Sequence, residues 1–308
     1  MYDIIIIGAG FAGFSAAIYS ARYNLKTLVI AREPGGAINI ASEVENYPGF
    51  KKISGLELMK HFEEQAKSFG AELVVDEVEG VIKQEKSFKV ETRQKKEFEA
   101  KTVILAMGTQ RRKLEVLGAK EFEGKGVHYC ATCDGAFYRD KVVAVIGGSN
   151  SAAHSALLLA RFAKKVYIIY RREKLRSEPI LIKQIKETKN IEIIYKNNVI
   201  EVKGDKFVNK AVLDNEYKKS KELALDGIFV EIGSVPSSAI AKELGVKLTQ
   251  SREIIVNEHC ETNIKGVCAA GDVTNTVLKQ GIVAASQGAI AASSAYGYIT
   301  GKKAGQPW

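Results

Sequence analysis

An α/β fold carrying two Rossmann-like units is predicted by three features of this 308-residue chain. An unbroken apolar strand runs into a glycine-rich turn and a small-residue helix near residue 8, and the same plan recurs from residue 142. A third apolar strand, "IKGVCAAGDVTN", runs into Gly271-Asp272. Strands buried on both faces of a parallel sheet read as continuous apolar runs, and alternating strands and helices are the signature of that architecture.

The first unit is "YDIIIIGAGFAGFSAAIYSARYNLKTLVIARE". Ile4 to Ile7 form the strand, Gly8, Gly10 and Gly13 fall at GxGxxG spacing, and a second apolar strand ends near Ile30. In such a turn Gly8 permits the bend, Gly10 lets the backbone approach a pyrophosphate, and Gly13 lets the helix lie close to the strand. The helix N-terminus adds partial positive charge. A dinucleotide is the expected ligand. Glu33, just past the second strand, is the nearest acid for a ribose, although it lies slightly beyond the strand end.

"KVVAVIGGSNSAAHSALLLARFAKKVYIIYRREKLR" repeats the plan, with strands Val142 to Ile146 and Val166 to Tyr170. Here Gly147 is followed by Ser149, where a middle glycine is expected, and by Ala152. Asn150 and Ser151 open the helix. The following strand ends not in an acid but in Tyr170, Arg171, Arg172 and, a helical turn on, Arg176. Guanidinium groups suit a 2′-phosphate, which points to NADPH at Gly147, Ser149, Asn150, Ser151 and the three arginines.

Between the units, "KSFKVETRQKKEFEAKTVILAMG" reads as an antiparallel hairpin or meander returning to a buried strand. "EVKGDKFVNKAVLDNEYKKSKELALDGIFVEIG" repeats that logic in the second half, and "LKQGIVAASQGAIAASSAYGYI" reads as a small-residue helix packed on a sheet. Short crossings are expected near Gln110–Lys113 and Gly233–Pro236. The chain length suits two domains.

The formal charge of +9 is dispersed among acids rather than clustered, so nucleic acid is not an expected partner. No apolar run reaches the roughly 20 residues a membrane span needs. "MYDIIIIGAG" has neither a basic region nor a small-residue cleavage site, and a cytoplasmic enzyme is expected.

Four cysteines are too few for a disulfide framework. Cys130 and Cys133 form a CxxC in "HYCATCDGAFYRD". A zinc site needs two further ligands, and Cys260, Cys268 and the scattered histidines offer no matching spacing; no metal site is expected. A structural bridge closing so small a loop restrains little chain. A redox dithiol is the remaining reading, because CxxC thiolates have pKa values lowered to roughly 3.5–7.5. Asp134 is placed to move the proton that the leaving thiol requires. Cys260 and Cys268 read as core residues.

Together, GAGFAG (Gly8 to Gly13), "GGAINIASEVENYPG" (Gly35 to Gly49), CATCDG (Cys130 to Gly135), GGSNSA (Gly147 to Ala152), RREKLR (Arg171 to Arg176) and AAGDV (Ala269 to Val273) give a chain that resembles the low-molecular-weight thioredoxin reductases over nearly its whole length. The resemblance implies that the second domain is inserted in the first: an FAD domain from residues 1–112 and 234–308, and an NADPH domain from residues 113–233 carrying the CxxC. It implies a homodimer, and FAD contacts including Gly35, Gly36, Asn46, Gly271, Asp272, Lys279 and Gln280. It also implies the relay: NADPH reduces the flavin, Cys133 receives its electrons, and Cys130 attacks a disulfide of thioredoxin or a thioredoxin-like protein. Domain rotation at the two crossings is expected to gate turnover.

The chain departs from the family pattern at Ala37 (usually glutamine), Met107 (threonine), Ser149 (glycine), His154 and Ser155 (a pair of glutamates), Ser234 (histidine) and Lys279 (arginine). Two readings on the same fold stay open, a flavin dithiol oxidase and a ferredoxin-fed thioredoxin reductase. The arginine cluster argues against the oxidase.

Overall fold

The computed structural model describes residues 1–41 and 43–302. The chain divides into two compact units, one from Met1–Gln110 together with Val235 onward, the other Arg111–Ser234. The segments at the divide, Thr109–Arg111 and Ser234–Pro236, form a two-stranded sheet.

In the first unit, Tyr2–Ile7 lies between Thr27–Ala31 and Glu97–Leu105, parallel to both. Glu72–Val75 extends the parallel sheet beyond Thr27–Ala31. The nine-residue strand Glu97–Leu105 does two jobs. Its first half pairs antiparallel with Phe88–Thr92, the returning meander, while Val103–Leu105 also pairs parallel with Val267–Ala269. Ile4, Ile5 and Ile6 have no solvent exposure, as expected of a strand covered on both faces. Burying each such side chain contributes about 1.5–3 kcal/mol.

One face of that sheet is covered by Phe11–Arg22 and the 20-residue helix Gly281–Thr300. They approach closely because small residues line the seam: a Cβ on Gly288 would lie 2.1 Å from the Ala12 carbonyl oxygen. Ser15 Oγ donates to the Ala285 carbonyl at 2.6 Å, which satisfies a buried hydroxyl at the same contact.

The second unit holds a five-stranded, all-parallel sheet in the order Ile191–Tyr195, Lys165–Tyr170, Val142–Ile146, Gly227–Val230, Val127–His128. A three-stranded antiparallel sheet, Val199–Gly204, Val208–Tyr217 and Ser220–Ala224, forms the predicted meander. Both units carry the α/β arrangement read from the sequence. After Lys165–Tyr170 the arginine segment is a loop, and the next helix begins at Pro179. Proline favours the first helical turn, where its missing N–H costs nothing, and the residue before it is held extended.

Glu192 ties the meander to the edge of the parallel sheet. It accepts from the Tyr217 hydroxyl and pairs with Lys165 and Lys218, each at 2.9 Å. The Tyr217 bond and the two lysines hold its carboxyl down from 4.5 to about 2. A depressed carboxylate stabilises the fold fully above its unfolded pKa and stops doing so as pH falls through the folded value. Glu192→Gln is therefore expected to lower stability by about 1 kcal/mol above pH 5, after discounting for solvent screening. Thermal unfolding of the two proteins should converge between pH 4.5 and pH 2; a constant difference across that range would contradict the assignment.

Candidate active site

Cys130 and Cys133 are joined as a disulfide with their Cα atoms 5.3 Å apart. Cys130 ends the strand connection and caps the short helix Ala131–Asp134, its Sγ accepting the Cys133 N–H at 3.1 Å. A backbone N–H aimed at Sγ would favour negative charge on that sulfur once the pair is reduced. Cys260 and Cys268 are free and buried. Burial pushes the Cys260 thiol up to about 11 and the Cys268 thiol higher still, so neither is a nucleophile near neutral pH.

Asp134 follows the pair directly, its N–H donating to the Cys130 carbonyl at 3.1 Å. Its Oδ2 lies 3.1 Å from Nδ1 of His128, and Nε2 of that ring lies 2.7 Å from the Tyr138 hydroxyl. Burial, then the charges of Asp134 and Asp226, push Tyr138 up to about 12, so it keeps its proton. A carboxylate can only accept, so Nδ1–H donates to Asp134, and in the neutral ring Nε2 is then the acceptor for the Tyr138 hydroxyl. Sequence reading singled out Asp134, while His128 was among the scattered histidines set aside as metal ligands. It lies in the strand Val127–His128 and faces the acid.

The first glycine turn has the shape its sequence predicts. Gly8 sits at φ +105°, where a Cβ would lie 2.3 Å from the Ala106 carbonyl oxygen, and a Cβ on Gly13 would lie 1.8 Å from the Gly8 carbonyl oxygen. At Gly10 the nearest atom to a Cβ is 3.9 Å away, the Gly35 carbonyl oxygen. Two of the glycines thus serve packing, and the third keeps open space before a helix whose N-cap, Gly10, has no side-chain acceptor. Gly35 and Gly36 belong to the same cradle, through Gly35 N–H on the Ala9 carbonyl at 2.8 Å. Glu33 is exposed and two residues past the strand end at Ala31.

Asn46 donates to Gln280 at 3.1 Å, so two expected contacts meet although 234 positions separate them. Gly271 follows Val267–Ala269, and its N–H donates to Gln287 at 2.9 Å. Burial raises the Asp272 carboxyl, opposed by the charge of Lys279. Lys279 donates to the carbonyls of Asp272 at 3.0 Å and Thr274 at 2.7 Å, and pairs with Glu253 at 2.8 Å. Asn39 contributes a buried Oδ1 with no hydrogen-bond partner. The open helix N-terminus, the space at Gly10 and this orphaned oxygen all fit a dinucleotide bearing polar groups.

The second turn is built differently. A Cβ on Gly147 would lie 2.2 Å from the Glu231 carbonyl oxygen, and one on Gly148 would lie 2.6 Å from the Tyr170 ring. Ser149 is the N-cap of Asn150–Ala160 but makes no side-chain cap. Asn150 is engaged with Glu178 in both directions, each bond 2.8 Å. Ser151 is exposed in the first turn of the same helix. Arg176 N–H donates to the Gly148 carbonyl at 2.7 Å, which brings the arginine segment to the turn. Arg171, Arg172 and Arg176 are all exposed, and the one acid among them, Glu173, is paired with Lys196 at 2.7 Å. Tyr170 adds a buried hydroxyl without a partner. Three exposed arginines on a segment whose backbone is tied to this uncapped helix end suit a phosphorylated ligand.

A family model described as Pyridine nucleotide-disulphide oxidoreductase matches residues 2–288. The chain is 42% identical over 306 residues to a thioredoxin reductase of Aquifex aeolicus, covering 98% of this chain and 95% of that one. To a thioredoxin reductase of Bacillus subtilis it is 40% identical over 302 residues, covering 97% and 95%. The chain belongs to this family.

Among solved structures, a Lactococcus lactis thioredoxin reductase matches with a TM-score of 0.94 and 38% identity, covering 98% of this chain and 100% of that one. As a thioredoxin reductase, the protein needs a flavin and a pyridine nucleotide beside its redox disulfide, and the two glycine turns are candidate seats for them. Two partners escaped sequence reading. Glu231 receives the Ser155 hydroxyl at 2.7 Å and pairs with Arg111 at 3.3 Å, over separations of 76 and 120 positions. No local spacing encodes such a contact.

Proposed function

We propose that this thioredoxin reductase carries electrons from NADPH through bound FAD to the Cys130–Cys133 disulfide, and from there to thioredoxin or a thioredoxin-like protein. The observation that carries the reading is the disulfide on a helix N-cap next to Asp134. FAD is assigned to the unit containing Gly8, Gly10 and Gly13, with Gly35, Gly36, Asn46, Gly271, Asp272, Lys279 and Gln280 around it and Glu33 nearest the ribose. NADPH is assigned to the Arg111–Ser234 unit, its pyrophosphate at Gly147–Ser151 and its 2′-phosphate at Arg171, Arg172 and Arg176. A homodimer follows from the family resemblance. A cytoplasmic setting is supported by two cysteines kept as free thiols.

When bound, the flavin supplies two-electron transfer between nicotinamide and disulfide. Reduction of the pair takes two electrons and two protons and leaves two thiols. Asp134 accepts the Cys130 proton, and Cys130 Sγ bonds to one sulfur of the partner, breaking the partner's S–S bond. The departing sulfur takes that proton. Cys133 Sγ then attacks Cys130 Sγ, re-forming the disulfide and releasing the second partner sulfur, which takes the Cys133 proton.

Anaerobic titration followed by flavin absorbance tests the donor. NADPH is expected to bleach the yellow protein near stoichiometry, and NADH to require a large excess. Replacing Arg171 and Arg172 with alanine should erase that difference, each charge-assisted contact contributing about 1.5–3 kcal/mol. Bleaching by neither nucleotide would refute the assignment.

A further inference from the structure

We propose that His128 is the positioning residue for Asp134, holding its carboxylate in the orientation that takes and returns the proton of Cys130. This rests on the reading of Asp134 given above. The acid sits at the end of a four-residue helix with a third of its side chain exposed, on an element too short to hold it by packing alone. The histidine, by contrast, is locked. Its backbone lies in Val127–His128, paired with Ile228 and Phe229, and its ring stacks on Phe229 with centroids 5.4 Å apart and planes 25° apart. The Tyr138 ring meets it edge-on, also at 5.4 Å.

Both ring nitrogens are used. Nδ1 lies 3.1 Å from Asp134 Oδ2, a group that only accepts, so the ring proton belongs on Nδ1; Nε2 of the neutral ring then takes the Tyr138 hydroxyl, 2.7 Å away. A buried aromatic thereby becomes a fixed donor aimed at one oxygen of the acid. This is the arrangement of a reacting group oriented by a third residue, with the orienter itself held by a fourth. The groups that face the histidine are Asp134 from the helix, Tyr138 from the following turn and the apolar Phe229 from the strand. Behind Tyr138 stand Asp226 and Lys141, the latter 5.5 Å from its ring.

In the exchange step the Cys130 S–H bond breaks and its proton passes to the Asp134 carboxylate. The Cys130–partner S–S bond forms as the partner's own S–S bond breaks, and the departing partner sulfur takes the proton back. Electrons move from the enzyme sulfur to the partner sulfur, and the carboxylate ends as it began. A fixed carboxylate serves both transfers; a rotating one serves each only part of the time.

The test uses the holoenzyme, reduced with dithiothreitol, desalted and mixed with hydroxyethyl disulfide as the probe. His128→Phe keeps the stacking but removes the donor, and the rate at neutral pH is expected to fall about tenfold, less than the 10²–10⁴ associated with losing a general acid–base outright. His128→Asn restores a donor near the Nδ1 position and should recover most of that loss. In an Asp134→Asn background, His128→Phe should cost nothing further, since its role is spent through the acid. The pH profile of Cys130 alkylation by iodoacetamide should move in His128→Phe in the same direction as in Asp134→Asn, and stay in place in His128→Asn. His128→Met serves as a second variant without the donor if the Phe ring disturbs the fold. An equal loss from His128→Phe with and without Asp134, an Asn variant as slow as the Phe variant, or an unmoved alkylation profile would overturn the proposal. Full activity of Asp134→Asn alone would instead remove the acid from the reaction, and the reading beneath the proposal with it.

Discussion

Cys133→Ser is expected to cut disulfide transfer to thioredoxin by at least about 10³-fold while leaving bleaching of the flavin by nucleotide intact, because a serine hydroxyl has no thiolate to resolve a mixed disulfide. Cys130 remains free to attack, so the variant should accumulate a covalent adduct with its partner, visible as a mass shift that dithiothreitol reverses. Cys130→Ser should be equally inactive and form no such adduct. The pair of variants decides which sulfur meets the partner. Exposure alone favours Cys133, which is exposed where Cys130 is half-buried. Charge stabilisation favours Cys130, whose Sγ receives the Cys133 N–H at 3.1 Å. Attack rate depends on the fraction of thiolate as well as on access, and the bond to Cys130 raises that fraction at the sulfur the family resemblance also selects. An adduct on Cys133 in the Cys130→Ser protein, with none in Cys133→Ser, would reverse the assignment.

What the sequence disclosed and what it withheld divide along separation in the chain. The strand Ile4 to Ile7, the turn Gly8 to Gly13 and the CxxC are legible because the forces that shape them act over a few residues: burial on both faces, a backbone reversal, a helix N-cap. The seam between Phe11–Arg22 and Gly281–Thr300 was visible only as small-residue composition, and its partner had to come from the folded chain. The Glu231 contacts with Ser155 and Arg111 were not legible at all. Nor was His128 separable from any other strand residue, since its meaning depends on a helix end and a turn converging on its ring. The placing of Arg176 was likewise beyond local spacing. Leu175 and Ser177 are buried in the loop before Pro179, and Arg176 between them reaches back to Gly148 through its N–H. The glycine turns themselves show how one motif divides its labour, which bears on the second large effect.

Gly13→Ala is expected to damage the fold, and Gly10→Ala only the cofactor site. A methyl at Gly13 would lie 1.8 Å from the Gly8 carbonyl oxygen and 2.8 Å from its carbon. Both are backbone atoms, and no side chain can swing aside to admit it. The helix Phe11–Arg22 must then back away from Tyr2–Ile7, loosening the contact that buries Ala12, Phe14 and Ala16. Overpacking of this kind costs about 1–3 kcal/mol and occasionally more. At Gly10 the added methyl meets no atom closer than 3.9 Å, and the residue's φ of −88° with ψ of −162° is extended backbone open to alanine. Its only conflict is with a pyrophosphate drawn up to the helix N-terminus. Flavin-stripped Gly10→Ala should therefore unfold at the wild-type temperature yet purify colourless or lose its flavin on gel filtration. Flavin-stripped Gly13→Ala should unfold several degrees lower, the shift that a few kcal/mol produces in a chain of this size. If Gly10→Ala retains flavin as tightly as the wild type, the first turn does not seat the dinucleotide, however well the strand and helix around it are packed.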